Sequence, residues 1–506
     1  MTSEQEQRPL LAADSESYSS SHDSGPPAHP RHGRLEDDAL PEQSVLGRNI
    51  GWGSAYIIAI SRVVGSGIFA VPGVILKSVG SVGLTLLLWA LGAVVVACGL
   101  AVSLEYGCML PRSGGDKVYL EFTYPRPRFL ASTMVAVQAV LLGFTASNCI
   151  IFSQYVHYAF QVETSEASKK FLALALLTVI TIIHGVWYKA GIRIQNFLGW
   201  VKVALVVFML FAALYVVMFR PTQTAGSALL RTQSPWDTLW EGSDWSFGTL
   251  STSLFKVFYS YAAYFAVVPI EEIKASGQLV AALFFEHTFG VNVGRRILSL
   301  AVALSAGGNV MVVTFALARL NQEIARAGFL AFSKMLSSSR PFGAPMGGLI
   351  VHYIPSFLVI ALPPSQDIYS FILEVEGYPG QAFALATSIG LIWLRYKRPD
   401  LRRPFKAWLP AVVFRSLLSL ALLAAPFFPP SESQPGGVFY ATYAIVGVGI
   451  LLFGFLYWLV WTVLLPHLGN YRLEEKEEVL DDGTAITVLA RVPKLGTPEQ
   501  QLPCFP

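Results

Sequence analysis

The chain has 506 residues, of which 53% are hydrophobic and only 14% are charged. Because soluble domains carry about a quarter charged residues, this composition predicts a polytopic membrane protein and excludes an ordinary soluble one. The net charge of +3 is too small to indicate a nucleic acid partner. The four cysteines show neither a pairing pattern nor metal-ligand spacing, so no disulfide, metal or cofactor is expected.

The N-terminal segment is polar. Residues 1–48 contain SESYSSSHDSGPPAHP and no long apolar run, which predicts a disordered cytoplasmic tail rather than a signal peptide. Glu6 lies four residues before Leu10, which is followed by Leu11, and this is the spacing of an acidic dileucine signal for sorting adaptors. Such short patterns also arise by chance, so both interpretations stay open.

Apolar runs of about 18 residues or more predict eleven membrane spans between residues 49 and 466. The spans lie near residues 51–78, 81–104, 129–159, 171–188, 194–219, 247–270, 297–318, 342–363, 368–394, 407–428 and 437–465. Residues 467–506 are expected to be a C-terminal cytoplasmic tail. Within it, EEVLDDGTAITVLARV predicts two strands joined at an Asp-Gly turn. Apart from this hairpin, the predicted fold class is all-α.

Lysine and arginine are unevenly distributed over the loops. With the N-terminus inside, the loop after span two carries four positive charges and the turn before span two none, as the positive-inside rule requires. Continued alternation through eleven spans would place ten later positive charges outside. They are Arg319, Arg326, Lys334, Arg340, Arg395, Lys397, Arg398, Arg402, Arg403 and Lys406. One additional span between residues 247 and 318 would restore the rule, so the charges predict that an odd number of spans is missing there.

The stretch RVVGSGIFA, residues 62–70, places Gly65, Ser66 and Gly67 about midway through span one. Glycine destabilises a helix interior by about 1 kcal/mol relative to alanine. One interpretation is a helix break whose free amides, at a second half-helix starting near Ile68, bind a carboxylate. The other is close packing of small residues against a neighbouring helix. Spacing alone does not decide between them.

A second stretch, EYGCMLPRSGGDKVYL at residues 105–120, follows span two. Together with VGSGIF it resembles the amino acid-polyamine-organocation superfamily, which has a G-S-G-I-F break in span one and an E-x-G-x-x-x-P-R-S-G-G-[DE]-x-x-Y-L run after span two. The likeness continues through NFLGWVKVALV, AYFAVVP, SAGGNVMVVTFALAR and RPFKAWLP. In detail the chain is similar to the L-type amino acid transporter group, and to fungal high-affinity methionine permeases, over roughly residues 48–490.

This resemblance implies a LeuT-type fold, with two inverted five-helix repeats and two further helices, that carries an amino acid by alternating access. Twelve spans are then expected against the eleven in this chain. On this basis Gly65, Ser66 and Gly67 present amides to the substrate carboxylate, while Ile68 and Phe69 lie beside the substrate side chain.

The resemblance is interrupted at one place. FYSYA, residues 258–262, continues directly into AYFAVVP, residues 263–269, which in relatives ends span seven. The family's Tyr-x-Gly break in span six, which offers carbonyls to the substrate ammonium, has no counterpart. We therefore expect about 40 residues to be missing between Ala262 and Ala263, through an incomplete gene model or a splice variant. The alternative is a natural eleven-span paralogue.

Three polar residues within spans are candidates for the transport site. Lys202 in span five is costly to insert, by about 2.5–3.5 kcal/mol, and matches a lysine that related sodium-independent carriers place where a sodium ion would sit. It either stabilises the break or couples transport to protons, unless it snorkels to the inner surface. Arg62 lines an inner vestibule or is a structural anchor. Asn309 reaches the substrate or makes an interhelical hydrogen bond.

Other charged residues are expected to be structural. Glu105 and Arg112 flank a short turn, where they form either a gate-stabilising ion pair or simple capping contacts. Glu374 and Glu376 lie at the outer start of a span and are predicted to be solvated.

No catalytic constellation is evident, so an enzyme is not expected. The predicted function is secondary transport of neutral amino acids, with methionine as the expected substrate and a proton as a possible second one. The alternative is a non-transporting amino-acid sensor on the same scaffold, to which the 48-residue tail gives little support. The predicted location is the plasma membrane, surrounded by lipid, with a vacuolar or endosomal membrane as the alternative.

Overall fold

The computed structural model of the protein describes most of the chain between residues 67 and 493. The described residues are 67–110, 115–162, 165–219, 239–258, 278–326, 332–339, 342–362, 368–429, 439–479 and 485–493, with single residues at 56, 65 and 328.

The first half of the described chain is helical. Its helices are α1 Gly67–Val79, α2 Val82–Met109, α3 Asp116–Thr123, α4 Leu130–Leu142, α5 Ala146–Phe160, α6 Glu166–Val186 and α7 Tyr188–Phe219. Serine side chains cap two of these helices: Ser81 Oγ accepts from the N–H of Leu84 before α2, and Ser165 Oγ accepts from the N–H of Ser168 before α6.

The second half continues as helices and ends in a hairpin. Its helices are α8 Phe247–Phe258, α9 Val280–Gly290, α10 Ser299–Arg326, α11 Ser333–Ser337, α12 Met346–Ala361, α13 Ile368–Lys397, α14 Leu409–Ala424, α15 Thr442–Trp458 and α16 Leu465–Leu468. A π-helical segment, Val291–Leu298, leads into α10, and another, Leu459–Leu464, follows α15. Strands β1 Tyr471–Val479 and β2 Ala485–Pro493 pair antiparallel, with Tyr471 opposite Pro493, which confirms the predicted hairpin.

Seven described helical segments are long and apolar enough to cross a membrane. They are Val82–Met109, Leu130–Phe160, Glu166–Val186, Tyr188–Ala212, Val291–Arg326, Leu409–Phe427 and Thr442–Leu468. Shorter apolar helices are Gly67–Val79 and Met346–Ala361. The predicted all-α, membrane-spanning class is therefore confirmed, whereas the eleven-span count and the inverted-repeat fold stay predictions.

One predicted span is divided into two helices. The apolar run at 129–159 forms α4 and α5, which are separated by residues 143–145. The backbone N–H of Thr145, freed by this interruption, donates to Ser356 Oγ of α12 at 3.2 Å. A polar side chain from another helix therefore satisfies the break, and such a side chain cannot be identified from the apolar run itself.

Helix α10 is the centre of one helix group, since it packs against α4, α5, α6, α7 and α12. Helix α13 is the centre of another, formed with α14, α15, α8, α2 and α3. Helix α1 contacts α2, α8 and α9. Small residues allow close approach at the centre: a Cβ on Gly348 of α12 would lie 2.0 Å from the carbonyl oxygen of Ala318 in α10.

Residues 244–286 run from just before α8 into α9. Two contacts place both ends of this interval on the side of the membrane where the turn between α1 and α2 lies, here called the outer side. The N–H of Asp244, just before α8, donates to the carbonyl of Val79 at 2.9 Å. Tyr158, at the end of α5, donates to Glu286 of α9. Because α2 and α4–α5 each cross once, the end of α5 has returned to the side of that turn. Asp244 and Glu286 therefore lie on the same side of the membrane.

The inner side, where the loop after α2 lies, carries two arginines of the second half that can be placed by their contacts, Arg319 and Arg395. Arg319 Nη2 at the end of α10 donates to the hydroxyl of Tyr188, at the start of α7, at 2.7 Å. Arg395 at the end of α13 pairs with Glu105 at the end of α2. These two arginines lie on the side that the positive-inside rule requires. The predicted crossing by residues 247–270 stays a prediction, because residues 259–277 lie outside the described residues.

Candidate substrate site at the start of helix α1

Helix α1 begins at Gly67, and Gly65 before it is not helical. Gly67 and Phe69 are buried and Ile68 is half-buried. The first N–H groups of a helix have no partner within it, and the dipole makes this end positive. A buried helix start of this kind favours an anionic group such as a carboxylate. Ser66 and Arg62, also predicted to take part, lie outside the described residues.

Two buried asparagines flank Gly65. A Cβ placed on Gly65 would lie 3.2 Å from Asn309 Nδ2 of α10 and 3.5 Å from Asn148 Oδ1 of α5. The exposed fractions of these asparagine side chains are 3% and 4%. The predicted residues Gly65 and Asn309 are therefore neighbours. Asn148 was missed, although a lone asparagine inside an apolar run is itself a signal of a functional or interhelical contact.

A buried tyrosine fixes the first turn of α1. The hydroxyl of Tyr155 in α5 lies 3.2 Å from the carbonyl oxygen of Phe69 and 3.1 Å from that of Gln278, just before α9. Its side chain is fully buried. A hydroxyl has one proton to donate, so Tyr155 is shared between the two carbonyls and ties α1 to the chain that precedes α9.

Lys202 of α7 lies against the same part of α10. Its side chain is 1% exposed, and its Cε is 3.3 Å from where a Cβ on Gly308 would lie. Gly308 directly precedes Asn309, so Lys202 packs one residue away from the asparagine that flanks Gly65. A snorkelling lysine would expose its ammonium to the inner surface, and this burial does not fit that alternative.

A further ion pair lies near the outer end of α1. Lys256 Nζ of α8 is 3.2 Å from Glu374 Oε1 of α13, with side-chain exposures of 7% and 16%, and it donates to Ser78 Oγ of α1 at 3.4 Å. The prediction that Glu374 is solvated was therefore wrong. Glu376 is half-buried rather than exposed, which also departs from the prediction. Lys256 was missed because nothing in its local sequence identifies its partner.

Glu105 is fully buried and joins α2 to α13 and the loop that follows it. Arg395 donates to its carboxylate through Nε, at 3.0 Å, and through Nη2, and the N–H of Ala407 donates at 2.8 Å. Arg403 Nε lies 3.5 Å from Oε1. The predicted partner Arg112 is outside the described residues. Glu105 thus acts as a clamp between helices on the inner side rather than as a cap of its own turn.

We expect Glu105→Gln to destabilise the protein strongly, because it leaves two arginines beside a neutral group in a buried site. Breaking a buried pair costs about 3–5 kcal/mol. Thermal unfolding of detergent-purified protein measures the effect. Glu323→Gln is the matched control: Glu323 pairs with Arg326 but its side chain is 48% exposed, and exposed pairs contribute only about 0–1 kcal/mol. Equal unfolding temperatures for the two variants would contradict the clamp.

The site as a whole offers backbone amides, side-chain amides and one ammonium group, which is a set suited to binding rather than to bond cleavage. Among the described residues, no group of three or more histidine, cysteine, aspartate or glutamate side chains is placed to hold a metal ion. A buried helix start between membrane-crossing helices is typical of the class of membrane transport proteins.

The comparisons specify the family. A profile described as amino acid permease matches residues 50–264 and 261–453, and the chain belongs to the amino acid permease family. It is 33% identical to the low-affinity methionine permease of Saccharomyces cerevisiae over 487 residues, covering 89% of each chain. It is 31% identical to the high-affinity methionine permease of the same yeast, covering 88% of this chain and 84% of that one. The protein is a permease and not an enzyme.

A more distant relative is also described as an amino acid transporter. The human b(0,+)-type amino acid transporter 1 is 26% identical, covering 76% of this chain and 84% of that protein. A crystal structure of a manganese transporter from Eremococcus coleocola covers 85% of this chain and 98% of that chain, with 14% identity and a TM-score of 0.38, a likeness too weak to define the fold.

The family match comes in two parts that meet at residues 261–264. This is the point where FYSYA continues directly into AYFAVVP. The interruption found from the sequence motifs and the boundary between the two matched parts therefore coincide.

Proposed function

We propose that the protein is a secondary carrier of neutral amino acids, with methionine as its substrate, that works by alternating access. The single observation that carries the proposal is the buried start of α1 at Gly67, with Asn309 and Asn148 beside Gly65. The similarity to two methionine permeases across most of the chain supports methionine as the substrate.

In this proposal the amides of Gly65, Ser66 and Gly67 bind the substrate carboxylate at the positive end of α1. Ile68 and Phe69, the next residues, contact the substrate side chain. An unbranched thioether adapts to an apolar pocket of this kind. Asn148 and Asn309 orient the carboxylate by hydrogen bonds from their amides, and Tyr155 holds the first turn of α1 in place.

The test is uptake of radiolabelled methionine by cells that lack their own methionine permeases and express this protein. We expect competition by unlabelled methionine and by other large neutral amino acids, and none by lysine or glutamate. A proton uncoupler in the same assay tests the driving force. Uptake that charged amino acids inhibit as well as methionine does would contradict the proposed substrate class.

We propose that Lys202 couples transport to protons, because its ammonium is buried next to the segment of α10 that flanks Gly65. We expect Lys202→Met to remove the dependence of uptake on external pH, while exchange of internal for external methionine continues. Initial uptake rates between pH 5 and pH 8 measure this. Lys189→Met is the matched control, since Lys189 is exposed on the same helix. Unchanged pH dependence in Lys202→Met would assign the lysine a structural role alone.

The sensor alternative gains no support from the relatives named above, all of which are described as permeases or transporters.

We propose the plasma membrane as the location, with sorting adaptors acting through Glu6, Leu10 and Leu11, which lie outside the described residues. Imaging of the tagged protein with Leu10 and Leu11 replaced by alanine tests both proposals, because a functional signal predicts slower removal from the cell surface.

We also propose that this chain lacks a segment at residues 261–264 that its relatives possess. The charges, the motif interruption and the two-part family match support this proposal. Because the interval 244–286 begins and ends on the outer side, the missing segment corresponds to one inward and one outward crossing, of which α8 supplies part of the first.

A further inference from the structure

The loop between α13 and α14, residues 398–408, is organised by two half-buried arginines. Arg395 and Arg403 both approach Glu105. Arg403 also donates to backbone carbonyls of the loop, at 3.1 Å to Leu401 and 2.9 Å to Arg398. The loop is therefore wound around its own arginine side chains and held against α2 on the inner side of the membrane.

Three other cations of this region point outward. Lys397, Arg402 and Lys406 are exposed, and no carboxylate within the described part of the chain lies within ion-pair distance of them. Arg398 differs, because it pairs with Asp400 at 2.9 Å. Hydrogen bonds from Arg398 lower the pKa of the Asp400 carboxyl, so Asp400 is ionised near neutral pH and neutralises Arg398 rather than the other three cations.

Large aromatic side chains flank these cations. Tyr396 is 84% exposed at the end of α13, and Trp408 is 75% exposed just before α14. Both lie where a helix meets the loop, which is the level of the lipid headgroups, and tryptophan and tyrosine are enriched there because one part of each ring system is apolar and one polar. Lys397, Arg402 and Lys406 with Tyr396 and Trp408 are called the basic loop surface below.

We propose that the basic loop surface binds the headgroup of an anionic phospholipid in the inner leaflet. Clustered lysine and arginine next to a membrane helix attract anionic lipids, and the Glu105 clamp holds the loop in place before binding, which lowers the ordering cost. The exposed tyrosine and tryptophan favour a lipid over a soluble phosphate, because only a lipid brings acyl chains to the aromatic rings while its headgroup meets the cations.

The experiment measures the unfolding temperature of the detergent-purified 506-residue chain during titration with dioctanoyl phosphatidylserine, dioctanoyl phosphatidylcholine or inorganic phosphate. We expect phosphatidylserine to raise the unfolding temperature at concentrations where the other two do not. The measurement requires no transport. A lack of stabilisation by phosphatidylserine would therefore contradict lipid binding without contradicting the proposed transport function.

The variant K397Q/R402Q/K406Q should need at least about tenfold more phosphatidylserine for the same shift. The control variant K77Q/K189Q/R193Q removes the same number of exposed cations elsewhere and should respond as the parent does. If the triple variant is poorly folded, the single variant Arg402→Gln replaces it in the test. It should also need more phosphatidylserine than the parent, by a smaller factor than the triple variant. Equal responses of the triple and control variants, or stabilisation by phosphate equal to that by phosphatidylserine, would overturn the proposal.

Discussion

Cells that express the 506-residue chain should take up little or no methionine. A chain with about 40 residues restored between Ala262 and Ala263 should take it up at least about tenfold faster. This ratio corresponds to a difference of about 1.4 kcal/mol in the free energy barrier of transport. The reason lies in the site. In the proposed site, the amides at the start of α1 bind the carboxylate alone, and the carbonyls expected for the substrate ammonium belong to the segment proposed to be missing.

The geometry of the interval favours this outcome over a natural eleven-span protein. Asp244 and Glu286, near the two ends of the interval 244–286, both lie on the outer side. Arg319 and Arg395 then fall on the inner side without any rearrangement. A restored pair of crossings would preserve that arrangement, so the second half of the chain is already oriented for the longer protein.

Sequencing of the full-length transcript across the codons for Tyr261 to Phe265 is the direct measurement. It is combined with uptake assays of both forms, each tagged so that the amount at the membrane is known. A dominant message without extra coding sequence, whose product transports amino acids, would contradict the prediction.

Much of the fold was accessible from the sequence because membrane spans leave a local signal. An apolar run of sufficient length must form a helix in lipid, where no other structure satisfies the backbone, so the ends of α2, α6 and α12 fall within a few residues of the predicted limits. The hairpin was predictable for a similar reason, since its alternation and its Asp-Gly turn lie within one short stretch. The glycines at 65 and 67 were identified because they are costly where they occur.

The rest depends on contacts between residues far apart in the chain, and these leave no local signal. Glu105 and Arg395 are separated by 290 positions, and nothing near Glu105 distinguishes that arginine from Arg112. The same holds for the pairing of Lys256 with Glu374, which made a residue expected in solvent part of a buried pair.

In the restored chain, Gly65→Val should abolish methionine uptake, with a loss of about a hundredfold or more, while the protein still reaches the membrane. A Cβ at this position already approaches Asn309 Nδ2 to 3.2 Å and Asn148 Oδ1 to 3.5 Å. The two further methyl groups of valine would fill the space between the asparagines and the first amides of α1, where the carboxylate is proposed to bind. Gly65→Ala, which adds the Cβ alone, should lose less.

The control is Gly449→Val, because Gly449 is exposed on α15 with nothing within 4 Å of its Cβ position, and it should transport normally. Uptake alone does not separate a ligand site from close helix packing, since both interpretations of the glycines predict a loss. The unfolding temperature separates these two interpretations. If Gly65 serves packing, Gly65→Val lowers the unfolding temperature without methionine present; if it serves the carboxylate, that temperature is unchanged and methionine no longer raises it. Normal uptake by Gly65→Val would contradict both.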